Sequence, residues 1–112
     1  MNVCFNGYNE GIATFEAESG VKVGMPVAMS ANGKVKKAAD DTVFCGICVG
    51  VRDGYAAVQL DGYVKISYSD TLSVGYNKLI ASGGKIKADS TKGRDILVID
   101  VDSTNSCAGI IL

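Results

Sequence analysis

The chain has 112 residues, among them 14 glycines, one proline and no histidine, and its 11 basic and 12 acidic side chains leave a net charge of −1. This length makes one domain with a real core. The near-neutral, interspersed charge excludes a basic nucleic-acid-binding stripe, and the missing histidine excludes Ser-His-Asp and Cys-His catalysis and the commonest zinc ligand.

Residues 1–11 are polar, carry Asn6-Gly7 and Glu10-Gly11, and read as an N-terminal arm ahead of a single β-domain over residues 12–112. No basic region leads into a long apolar core, so the start does not read as a secretory signal. No apolar run approaches membrane-spanning length, so synthesis and folding in a cytoplasm are expected. Ile12 to Glu18 (IATFEAE) alternates, with Ala13, Phe15 and Ala17 on one side, which predicts a half-buried strand with Phe15 inward. Ser19-Gly20 ends it. Val21 to Ser30 holds the next strand, placed at an edge or a start by Pro26. Asn32-Gly33 predicts a two-residue hairpin turn, because both residues tolerate positive φ. Lys34 to Lys37 returns, and Asp40-Asp41 turns the chain.

Val43 to Val51 (VFCGICVGV) is apolar on both faces and reads as the most buried strand. Asp53-Gly54 leads into Tyr55 to Leu60, and Asp61-Gly62 into Tyr63 to Tyr68, where Val64, Ile66 and Tyr68 face opposite to Tyr63 and Lys65. Val43 to Tyr68 is therefore expected to be a three-strand meander. Ile96 to Val101 is another buried strand, and Cys107 to Leu112 an apolar strand that closes the sheet. The best helix candidate, Asn77 to Ala81, is too short.

One segment occurs twice. VKVGMPVAMSANGKVK, Val21 to Lys36, superposes without a gap on LSVGYNKLIASGGKIK, Leu72 to Lys87. Val23-Gly24 falls on Val74-Gly75, and Gly33-Lys34 on Gly84-Lys85. Glycine with frequent Val, Ile, Thr and Tyr favours strands and tight turns. The fold class predicted is all-β, a small β-barrel or sandwich of about nine short strands with an internal hairpin repeat. Hydrophobic residues make up 47% of the chain and the mean hydropathy is +0.21, which is high for a small soluble monomer and implies apolar surface covered by partner chains.

The residue types that could carry chemistry do not converge. Cys45-Gly46-Ile47-Cys48 has CxxC spacing, but it lies in an apolar strand rather than opening a helix, so buried thiols are expected. Cys4 and Cys107 stand alone and complete no four-cysteine zinc site. Asp100, Asp102 and Asn105 have the early spacing of a calcium loop but lack its glycine and distal glutamate, and a polar turn explains them better. Gly50 to Gly54 lacks the ending of a phosphate loop. Asp40-Asp41 and Glu16/Glu18 read as solvated turn and strand positions. Lys34 and Lys85 lie just after hairpin turns, whereas a biotinyl or lipoyl carrier presents its modified lysine in the turn itself. No cofactor or metal is expected. Tyr55, Tyr63, Tyr68 and Tyr76 lie on neighbouring strands and are the candidates for an oligomer interface.

The segments GIATFEAESGVKVGMPVAMSANGKV, FCGICVGVRDGYAAVQLDGYVKISYS, VGYNKLIASGGKIK and ILVIDVDS run in an order that resembles small tailed-phage head proteins, the capsid decoration (cement) proteins of the DUF2190 type. The resemblance covers Gly11 to Leu112, and its most specific stretches are Val49 to Val64 and the turn at Gly24 to Val27. It implies a non-enzymatic structural protein on the outer capsid surface of the virion, made in the bacterial host cytoplasm. Such proteins bind the expanded shell, commonly as trimers, and bridge major-capsid subunits. An extended arm can add a strand to a partner's sheet edge. Val3, Phe5 and Tyr8 are the capsid-contact candidates on that arm. The alternative from a different class is a carrier or small-ligand-binding β-barrel module.

Overall fold

The structure is a computed structural model and describes residues 11–89 and 91–112. Among these residues there are ten strands, one more than the nine or so expected, and no helix. They are β1 (Gly11–Ala17), β2 (Pro26–Ala31), β3 (Lys34–Lys37), β4 (Gly46–Arg52), β5 (Tyr55–Asp61), β6 (Tyr63–Ser67), β7 (Gly75–Ser82), β8 (Lys85–Ala88), β9 (Arg94–Asp102) and β10 (Cys107–Ile111).

The first five strands close a barrel in the order β1-β3-β2-β4-β5, with β5 pairing back onto β1. The second five form a sheet in the order β6-β10-β9-β7-β8. A parallel bridge between Tyr68 and Ile86 links the two edges of that sheet. These arrangements are equivalent. The parallel seam of the barrel pairs Ala17 with Val35, and the corresponding bridge lies 51 residues further along at each residue. Hairpin β2–β3 corresponds to β7–β8, and β4–β5 to β9–β10.

The duplication reaches single hydrogen bonds outside the ladders. Glu18 N–H donates to the Val35 carbonyl as Ser69 does to Ile86, Ala17 to Gly54 as Tyr68 does to Ser106, and Ala38 to Pro26 as Asp89 does to Lys78, at 2.8–3.1 Å. Even a bulge recurs, since the β4–β5 register skips Val49 and the β9–β10 register skips Ile99. The repeat seen in the sequence as a hairpin is therefore a whole five-strand unit.

Each unit packs its own core. Val21, Val27, Val35, Cys48, Ala56 and Val58 fill the first. Leu72, Leu79, Ile86, Val98, Ala108 and Ile110 stand in the matching places in the second. A strand's two-residue period sends the same positions inward in both, so the apolar pattern survives where side-chain identity does not.

The segment 38–45 ties the units together. Ala38 and Phe44, with Ile47 of β4, are buried in the second unit's core rather than the first's. Asp41 N–H donates to the Ala81 carbonyl and Ala81 N–H to the Thr42 carbonyl, both at 2.9 Å. The Asp40 carboxylate accepts Gly83 N–H at 2.7 Å, and the Arg94 guanidinium donates to the Cys45 carbonyl at 3.0 Å. This crossing corrects two expectations. The strand expected from Val43 starts only at Gly46, because 40–45 reaches over to β7, and Val43 is exposed. The meander also breaks after β5. Both edges of β5 are taken by β4 and β1, so the chain leaves at Gly62 and β6 pairs with β10 instead.

Candidate interaction surface

Among the described residues, no three His, Cys, Asp or Glu side chains gather closely enough to hold a metal ion. Cys45, Cys48 and Cys107 are free thiols, and Cys4 lies outside the described residues. Cys48 is fully buried in the first core and Cys45 packs against it; burial pushes both thiols above their usual range, in Cys45 against a smaller opposing pull from Arg94. The calcium-like segment is a polar turn. The Asp102 carboxylate accepts from Thr104 N–H, Asn105 N–H and the Asn105 side chain, which hold it below the usual carboxylate range. Asp100 instead accepts Gly109 N–H at 3.0 Å. Lys34 and Lys85 are the first residues of β3 and β8, just past their turns, with Lys34 half-buried and Lys85 exposed.

What the surface does present is apolar side chains. Val23 and Val74 occupy equivalent places in the loops before β2 and before β7, and they are 64% and 65% exposed. Each is followed by a glycine at positive φ, +89° at Gly24 and +113° at Gly75, which holds the two tips in one shape. The intervening core positions explain Val21 and Leu72, but nothing in either unit packs against these two valines enough to cover them.

The four tyrosines do not share one surface. Tyr76 and Tyr55 are exposed, at 78% and 54%. Tyr68 is buried in the second core, where its backbone forms the seam with Ile86, so its ring serves the fold. Tyr63, the first residue of β6, is half-buried on the opposite face, and Tyr68 lies just past the end of that strand. Val3, Phe5 and Tyr8 lie outside the described residues.

Around Tyr55 the outer face of β1, β5 and β4 forms a shallow trough of about 280 Å³, lined by Thr14, Gly50, Val51, Arg52, Tyr55 and Ala57. Its floor is the cross-strand row Thr14–Ala57–Gly50, and its end is the row Glu16–Tyr55–Arg52. The second unit has the same rows as Lys65–Gly109–Asp100 and Ser67–Cys107–Asp102. There, however, the place is occupied. The Tyr63 hydroxyl lies 2.6 Å from where a Cβ on Gly109 would stand, and Asp100 Oδ1 2.8 Å from the same point. Tyr63 stands where the first unit has Ile12, which is why one trough is filled and the other open. The open trough could not be read from the sequence, although the glycine and alanine at its floor were visible there.

Comparison with known protein families, with curated proteins and with solved structures gives no match.

Proposed function

We propose that this chain is a structural decoration protein of a tailed-phage head, which binds the outer surface of the expanded capsid and stabilises it by bridging major-capsid subunits. The reading rests on the family resemblance of the sequence, and the observation that carries it in the structure is the matched pair Val23 and Val74. A bridge needs two equivalent points of attachment on one rigid body, and a duplicated β-unit with the same exposed apolar tip in each half supplies them. Short turns and closed strand pairing keep the ordering cost of docking small. Weak contacts repeated over a shell then add through multivalency.

The test is binding of the purified chain to expanded shells of its own phage, followed by co-sedimentation and by the temperature at which the shells rupture. Wild type binds and raises that temperature. Val23→Asp and Val74→Asp each weaken binding, and the double variant abolishes it while the protein keeps its own melting temperature. A chain that ignores expanded shells, or a double variant that still binds them fully, would sink the reading.

A further inference from the structure

We propose that two copies of this chain associate through the outer face of β1, β5 and β4, about a two-fold axis running along β5. The two units match strand for strand, but on this face they differ. In the second unit the face is covered by the chain's own Tyr63, lying over Gly109 and beside Asp100. In the first unit the same place is an open trough floored by Thr14, Ala57 and Gly50 and flanked by the exposed Ile12 and Tyr55. The fold is thus satisfied with this surface covered, and the first unit leaves it bare.

The second unit also shows what fits, a phenol ring laid along the strand over a small residue. A second copy brings one. With the axis along β5, each Tyr55 stands beside the Tyr55 of the partner subunit. Strand side chains lean along the strand, so each ring can cover the Ala57 of the partner subunit. The same axis decides the charges. Glu16 and Arg52 stand on either side of Tyr55 in one cross-strand row, on β1 and β4. Rotation about β5 exchanges left and right, so Glu16 faces Arg52 of the partner subunit, twice. A surface that is its own complement in shape and in charge is what an isologous contact requires.

The experiment is sedimentation equilibrium of the full chain alone over rising concentration, without shells, so its outcome is separate from the decoration reading. Wild type shows a monomer–dimer equilibrium. Ala57→Arg, which puts bulk and charge into the trough, weakens it by at least about tenfold, and so does Arg52→Glu or Glu16→Arg singly. The double exchange E16R/R52E restores dimerisation to within about threefold of wild type, because it swaps both members of each pair. All variants keep the wild-type melting temperature within a few degrees, since Glu16 and Arg52 are exposed and Ala57 points outward. A monomer at every concentration, a dimer indifferent to Ala57→Arg, or a double exchange that fails to restore it would overturn the proposal. So would a monomer whose shell binding is lost in Ala57→Arg, which would assign the trough to the shell.

Discussion

Tyr63 lies across the bare α-carbon of Gly109, its hydroxyl 2.6 Å from where a Cβ would stand. The glycine is there because a ring needs the room, and both residues sit on the outer face of the second unit rather than in its core. Gly109→Ala must push aside the ring and the Asp100 carboxylate that accepts Gly109 N–H. Overpacking of this kind costs about 1–3 kcal/mol, read as a lower urea midpoint with an unchanged slope. Gly46→Ala is expected to cost at least as much, because its Cβ would meet the Gln59 carbonyl at 2.5 Å and backbone cannot swing away. A Gly46→Ala variant as stable as wild type would show that the β4–β5 spacing is looser than described.

The crossing segment makes the two units unfold as one. Phe44 leaves the first unit to be buried in the second, so Phe44→Ala is expected to cost about 3–5 kcal/mol. Asp40→Ala, which removes only the acceptor of Gly83 N–H on an exposed turn, costs about 1 kcal/mol. Wild type melts in a single calorimetric transition. Two resolved transitions in wild type would mean that the crossing does not couple the units.

Matched core positions give matched penalties. Ile86→Val is expected to cost about 0.5–1.5 kcal/mol and Leu79→Ala about 2–5 kcal/mol, since both side chains are fully buried. Val23→Ala and Val74→Ala, at equally apolar but exposed tips, change stability by less than about 0.5 kcal/mol. Chemical denaturation of the four variants separates core valence from surface valence, and a large loss at Val23 or Val74 would contradict their exposure.

Stability is expected to fall at both ends of the pH range. Burial raises the Cys45 and Cys48 thiols above 9.0 and the Tyr63 hydroxyl above 10.0, the latter with help from Asp100. Groups raised on folding contribute fully below their unfolded values, and that contribution is lost as pH rises through the folded ones, from about pH 9 upward. At the acid end Asp89 is held below 3.8 by the N–H groups of Lys92 and Thr91, and Asp102 by the Asn105 side chain and neighbouring N–H groups. Their contribution is present above the unfolded value and lost as pH falls through the folded ones. Urea midpoints across pH check both limbs. Cys45→Ala/Cys48→Ala flattens the alkaline limb, and native Cys48, being fully buried, reacts with a thiol reagent only on unfolding.

The alternation of Ile12 to Glu18, the Asn32-Gly33 and Asp53-Gly54 turns and the apolar run at Ile96 to Val101 made strands, turns and inward faces legible from residues alone. So did the repeated hairpin. These are local properties, set by the two-residue period and by which residues accept positive φ. Which edges meet is a different matter. Nothing near Asp61-Gly62 distinguishes a third meander strand from a crossing into a second unit; the difference arises because β1, fifty residues earlier at its start, already holds the other edge of β5. Tyr68 and Tyr76 looked alike as tyrosines on strands, and only the closing of β6 against β8 buries one while the other stays in solvent. The open trough of the first unit belongs to the same class, since it exists through a comparison of Ile12 with Tyr63 that has meaning only once the two units are superposed. Pattern along the chain fixes what each residue can do, and long-range pairing decides which of them are left facing outward to do it.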